Sequence, residues 1–256
     1  MNHIVTAYQN LPPTDLGLQA FLSSLGTLNL NPSENDLVML GDGTMEHLPH
    51  SEVSVTWVPL KKVQGSVVID RFHTAQYLPF ADDDMVVLTD CRDVVFQGNP
   101  FHFHPKLVHV FQEDIRQTVD VEASNSGWIK LIHFGNVPAD LVGKPIICAG
   151  VIAGRWKLLQ HYLALLSMKM INYPPFFGLD QALHNLMVYT DNWLFERWSN
   201  EKGPVLHMVL SGCPPNQCSE FGVVENSGGF MPAIVHQYDR YPQVRDAIFK
   251  RYGVKT

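Results

Sequence analysis

The run Met85-Val86-Val87-Leu88-Thr89 reads as a strand buried on both faces. It breaks off into Asp90-Cys91-Arg92-Asp93 before a second apolar run, Val94-Val95-Phe96. A carboxylate at the end of an apolar strand needs a cation to neutralise it. Two such acids, Asp90 and Asp93, point to a divalent metal or a basic partner. Carboxylate oxygens suit Mg²⁺ or Mn²⁺, which keep positions open for a diphosphate. A plainer reading stands beside this one, in which Asp90 caps the following turn and Asp93 pairs with Arg92 or another cation.

The neighbouring sequence supplies the frame. Ile4-Val5-Thr6-Ala7-Tyr8 reads as a first strand, residues 16–25 carry helical spacing, and residues 36–40 form a second strand ending at Gly41-Asp42-Gly43. A third strand is expected at 53–58 and a helix at 68–80, just before the acid-tipped strand. Strands interleaved with helices predict an α/β fold with a mainly parallel central sheet flanked by helices. Ligands gather beyond the carboxyl ends of such strands, so Thr6, Ala7, Tyr8, Asp42, Asp90 and Asp93 are expected around one crevice. Further along, residues 146–154 read as a short apolar segment with a chain reversal, and 155–170 and 179–189 as helices. The loop-rich C-terminal third leads to Ile234-Val235-His236-Gln237-Tyr238. With no internal repeat and no clear linker, one domain over residues 1–256 is expected.

A chain of 256 residues can bury a sizeable core. Its net charge of −7 argues against nucleic acid as a partner, so a polyanionic ligand must be met by local cations or a metal. No apolar stretch approaches the roughly 20 residues of a membrane span, and Met1-Asn2-His3-Ile4 lacks the basic start of a signal peptide. The expectation is a soluble, cytoplasmic protein without a membrane span. The four cysteines are too few and too scattered for a disulfide framework and read as reduced thiols, and Cys213 and Cys218 form at most half of a zinc site.

Neither GxGxxG nor GxxxxGK[ST] occurs, which removes a nicotinamide Rossmann site and a P-loop. His236 follows Ala233-Ile234-Val235. A neutral imidazole there completes an octahedral site with Asp93 or, in the alternative, is a satisfied core histidine.

Four segments in order carry a resemblance: Asp90-Cys91-Arg92-Asp93 followed by Asn99-Pro100-Phe101, Ala149-Gly150-Val151, Asp180-Gln181-Ala182-Leu183-His184-Asn185, and Val235-His236-Gln237-Tyr238-Asp239-Arg240. They resemble the metal motif, the "NAGV" turn, the "DQxxxN" helix start and the C-terminal metal histidine of retaining, family 8-like nucleotide-sugar glycosyltransferases with the GT-A fold, over about residues 4–240. The resemblance implies a single GT-A (Rossmann-like) domain, with a nucleotide-binding half over about 1–100 and a sugar- and acceptor-binding half over about 101–256. It also implies Mn²⁺ or Mg²⁺ held by Asp90, Asp93 and His236 against the diphosphate of a nucleotide sugar, UDP being the commonest nucleotide. Thr6, Ala7, Tyr8 and Asp42 would line the nucleoside pocket, Arg71 and Arg240 would reach phosphate or sugar, and Ala149 and Gly150 would let backbone approach the sugar. Asp180 would bind its hydroxyls, with Gln181 beside the anomeric carbon. Because Gln181 is a poor nucleophile, front-face transfer with retention to a glycan or other hydroxyl acceptor is implied. On the residues alone, Arg71 also reads as a solvated surface side chain, and Asp180 and Gln181 as caps of their helix.

Three positions depart from the family pattern. The acids are two residues apart rather than one, so the chain must turn between them. Cys148 stands where the family often has Asn, and Arg240 replaces the usual lysine, a change compatible with phosphate binding. The rival readings are a non-catalytic sugar- or nucleotide-binding module on the same fold and a metal-dependent phosphohydrolase. The latter is disfavoured because Arg92 stands where its second acid belongs.

Overall fold

The computed structural model describes residues 1–9, 12, 14–41, 55–191, 195–209 and 217–255. The Asp42 and Cys213 readings lie outside the described residues, as do positions 53 and 54 of the third strand.

A seven-stranded sheet is built from β1 (Asn2–Tyr8), β2 (Asn35–Gly41), β3 (Val55–Pro59), β4 (Met85–Thr89), β6 (Val108–Gln112), β7 (Ile147–Arg155) and β8 (Phe195–Trp198), in the order β3-β2-β1-β4-β7-β6-β8. β1 pairs in parallel with both β2 and β4, and only β7 runs antiparallel to its neighbours. The fold is therefore α/β and Rossmann-like, with a mainly parallel sheet flanked by helices, as the interleaving of strands and helices predicts. Three more strands, β5 (Val94–Phe96), β9 (Val205–His207) and β10 (Ile234–His236), form a small second sheet in the order β5-β10-β9.

Strand parity sorts the core. Val5, Val38, Leu40, Val86, Leu88 and Ile152 project to one face, where α2 (Val67–Ala75), α3 (Ala123–Ile132), α4 (Trp156–Met170) and α5 (Leu179–Thr190) bury their apolar sides. Ile4, Leu37, Met39, Val87 and Val151 project to the other face, meeting α1 (Leu16–Gly26) and Val94, Phe96, Val205 and Ile234 of the small sheet. Their neighbours Val95, Leu206 and Val235 turn the opposite way onto α6 (Pro242–Arg251). His207 and His236 share parity with Val205 and Ile234, so both side chains point from the small sheet back toward the large one.

One expectation is overturned. Residues 146–154 do not reverse: β7 is a continuous nine-residue strand between β4 and β6. The apolar run without alternation reflects burial on both faces, and the glycines serve close packing rather than a turn. The irregularity takes the form of a register shift, since Val110 opposes Ile152 while Phe111 opposes Cys148, and Ala149 to Val151 bulge away from β6. The helix expected at 68–80 is also shorter, ending at Ala75 ahead of the loop that contains Pro79. Among the described residues, no helix is long and apolar enough to cross a membrane.

Candidate metal centre

The two acids are delivered by different sheets. β4 ends at Thr89, and the Asp90 N–H still donates to the Gly150 carbonyl of β7 at 2.9 Å, anchoring Asp90 to the large sheet. The chain then turns through Cys91 and Arg92 and enters β5 at Val94, which pairs with His236 of β10. The Gln237 N–H donates to the Asp93 carbonyl at 2.7 Å, extending that antiparallel pair by a step. The two-residue spacing between the acids is thus the length of the crossing between sheets.

At this junction His236 Nε2 lies 3.3 Å from Asp90 Oδ2 and 3.5 Å from Asp93 Oδ1. The nitrogen is buried and makes no aligned hydrogen bond. Two hard oxygens and one imidazole nitrogen thus lie within 4.8 Å of one another. Ligands about 2.1 Å from an octahedral ion lie roughly 3 Å apart, so the donor set and its spacing fit Mg²⁺ or Mn²⁺. Gly150 closes the cradle from β7: a Cβ there would sit 2.3 Å from His236 Cε1 and 2.8 Å from Asp90 Oδ2.

Arg71, on α2, is 3 % exposed, which removes the reading of a solvated surface side chain. Its Nη1 donates to Asp90 Oδ1, while Nη2 donates to the Ala149 carbonyl at 3.1 Å and to Asp180 Oδ2 at 3.3 Å. Asp90 thus gives one oxygen to Arg71 and turns the other to His236. Asp93 repeats the pattern at the rim, with Oδ2 3.7 Å from Nη2 of Arg240, a half-exposed side chain that also pairs with Asp239. Burial opposes ionisation of Asp90, but the Arg71 charge and the His236 contact hold its carboxyl well below the usual range. Burial likewise opposes charge on His236, yet Asp93, Cys148 and Asp90 raise it well above the ordinary imidazole value.

α5 begins after Gly178, where a φ of 92° and the closeness of Trp128 exclude a side chain, since a Cβ would sit 2.2 Å from the indole Cδ2. Asp180 and Gln181 are therefore not the N-cap, and both turn into the site. Burial raises the Asp180 carboxyl against the pull of Arg71. Gln181 is held at both ends of its amide: Oε1 accepts from the Ala149 N–H at 3.2 Å, and Nε2 donates to Glu113 Oε1 and Asn125 Oδ1, each at 3.1 Å.

The residues expected on the nucleoside side lie at the same end of the sheet with their side chains packed. Thr6 is buried and donates to the Thr89 carbonyl at 2.8 Å, and the Ala7 carbonyl accepts from the Cys91 thiol at 3.2 Å. Tyr8 is 8 % exposed and meets Trp57 edge to face at 6.2 Å.

Two contributors, Glu113 and His207, escape the sequence reading, and Cys148, noted there only as a departure from the family pattern, joins them. Glu113, just past β6, is buried next to Gln181, and burial raises its carboxyl. Its signal was present, because an apolar strand ending in an acid is the same signature as Asp90. Cys148 Sγ lies 3.7 Å from His236 Nδ1, and burial lifts its thiol to about 11. His207 is fully buried, and burial holds its imidazole well below the ordinary value.

Compared with models of known protein families and with curated proteins, the chain matches none. The functional reading therefore rests on the residues and their geometry.

Proposed function

We propose that this chain is a metal-dependent glycosyltransferase of GT-A type, which moves a hexose or similar sugar from a nucleoside diphosphate donor, UDP in the first instance, to a hydroxyl acceptor with retention. The observation that carries the reading is the approach of Asp90, Asp93 and His236, drawn from two sheets and from positions as much as 146 residues apart, to within 4.8 Å of one another beyond the carboxyl end of a central parallel strand. Hard oxygen donors with one imidazole favour Mn²⁺ or Mg²⁺, and a bound divalent ion would act as the Lewis acid that neutralises the departing diphosphate.

The chain's own residues supply the rest. Arg71, fixed by Asp90, Asp180 and the Ala149 carbonyl, brings a permanent positive charge into a water-poor site where it acts strongly on phosphate or developing negative charge. Arg240 does the same from the exposed rim. Asp180, partly neutralised by Arg71, offers oxygen to sugar hydroxyls. Gln181 has both amide ends committed to the protein, so it shapes the sugar pocket and is unsuited to attack the anomeric carbon. This favours front-face substitution: the anomeric carbon–phosphate oxygen bond breaks, the acceptor oxygen bonds to that carbon from the same side, and its proton passes to the leaving phosphate.

A panel of nucleotide sugars with and without Mn²⁺ tests the reading by thermal shift and by donor turnover. A donor at a hundred times its dissociation constant adds about 2.7 kcal/mol to stability. The expected result is a Mn²⁺-dependent shift with one nucleotide series, accompanied by sugar transfer or slow donor hydrolysis. A Mn²⁺-dependent shift without turnover of any donor would favour the binding module, and release of phosphate from simple phosphoesters would favour the phosphohydrolase.

A further inference from the structure

His236 presents two ring nitrogens to two different environments. Nε2 faces Asp90 and Asp93, whereas Nδ1 faces inward, 2.8 Å from Nδ1 of His207. The pairing register explains the contact: His236 stands directly opposite His207 in the parallel β9–β10 pair, so the two side chains leave the small sheet side by side, with ring centroids 5.1 Å apart at 79°. His207 is itself fixed from behind. Its N–H donates to Asn200 Oδ1 at 2.7 Å, and its carbonyl accepts from Asn200 Nδ2 at 3.0 Å. The ring is fully buried, and Nε2 has no hydrogen-bond partner, so Nδ1 is the nitrogen through which it bonds.

Two nitrogens at 2.8 Å share one proton between them, and its location decides what His236 can do. With the proton on His207, His236 must carry its own proton on Nε2, aimed at the carboxylates, and cannot ligate a cation. With the proton on His236 Nδ1 and His207 accepting, Nε2 presents a lone pair to the point where Asp90 and Asp93 converge. Resting on the metal reading above, we infer that His207 is a positioning residue for that site: it accepts the Nδ1–H bond of His236 and so fixes the tautomer and ring orientation in which Nε2 is a metal ligand. Partners of this kind are worth roughly 10- to 100-fold in metal affinity. Cys148, 3.7 Å from the same Nδ1, is a longer and weaker acceptor that cannot take over the role in full.

The test measures Mn²⁺ affinity by electron paramagnetic resonance, together with the ¹⁴N spin-echo modulation that a directly bound imidazole imposes on Mn²⁺. His207→Leu removes the acceptor, while His207→Asn restores one, because Asn Oδ1 is attached to the same Cγ position as the imidazole Nδ1. His207→Leu is expected to bind Mn²⁺ roughly 10- to 100-fold more weakly with reduced ¹⁴N modulation, and His207→Asn to recover most of both. Leu binding within twofold of wild type, or Asn failing as badly as Leu, overturns the inference while leaving the metal reading intact. A wild-type protein that binds no Mn²⁺ overturns both. Should the Leu variant not fold, ¹⁵N spectra of the Mg²⁺-loaded wild type decide alone: the His236 ring proton belongs on Nδ1, and finding it on Nε2 overturns the inference.

Discussion

Two clusters at opposite ends of the large sheet set a histidine among aspartates, and they differ in how the imidazole is used. At the amino end, His3 sends Nε2 to Asp84 at 3.2 Å and Nδ1 toward Asp36 at 3.9 Å, with its ring stacked on Phe80 at 3.7 Å. Asp84 also accepts from the Ala81 N–H at 2.8 Å and from the N-terminal amine at 2.7 Å. Each carboxylate there faces its own ring nitrogen: Nε2 bonds to Asp84, while Nδ1 lies too far from Asp36 for a hydrogen bond and is buried without one. At the carboxyl end both carboxylates address the same nitrogen of His236, an arrangement that hydrogen bonding alone does not satisfy. Equal residue types thus make a structural tie in one place and, on the metal reading proposed above, a ligand set in the other, and the deciding quantity is the direction of the oxygens.

The largest effect that would break this contrast comes from Asp93→Ala. If the carboxyl-end cluster is a ligand set, the variant loses the Mn²⁺-dependent part of the thermal shift and transfer falls roughly 10³-fold. An unchanged Mn²⁺ response removes Asp93 from the site and reduces the cluster to the status of its counterpart. Gly150→Ala comes next. Its Cβ would press on His236 and Asp90, so stability in chemical denaturation should fall by about 1–3 kcal/mol and Mn²⁺ affinity should fall with it. Retention of both would mean that the cradle has room to spare.

Asp84→Asn is the smallest change and sharpens the comparison from the other end. Burial opposes ionisation of Asp84, but the N-terminal amine, the Ala81 N–H and His3 outweigh it and hold its carboxyl below the ordinary range. A depressed carboxyl contributes stability that is present above the unfolded value of about 3.9 and is lost as pH falls through the lower folded value. The variant should therefore be about 1 kcal/mol less stable than wild type at neutral pH, converge with it under strongly acidic conditions, and keep its Mn²⁺ response throughout. A difference that persists at low pH would remove the charge from the explanation.

The carboxyl-end acids were legible in the sequence because an apolar run that stops at an acid is a local signal, and so were β1, β2, β4, α1, α4 and α5, which have clear apolar patterns. The small sheet was mostly invisible. Its strands are three residues each, too short for period-two alternation to register, and their pairing joins residues far apart in the chain. His207 is one of twelve histidines, and only the β9–β10 register sets it apart. Arg71 is undecidable from its helix, since its burial depends on Asp90 and Asp180 arriving from elsewhere. The supposed reversal at 146–154 failed for the opposite reason: glycines that favour turns also permit crowding, and the crowd at Gly150 is tertiary.

The seam between the two sheets gives the proposed ligand set a mechanical side. Asp90 hangs from one sheet, while Asp93 and His236 hang from the other, with apolar side chains filling the gap behind them. An occupant of that point acts as a clasp across the seam. Motion that parted the sheets would dismantle the grip, and a cation held there would oppose that motion.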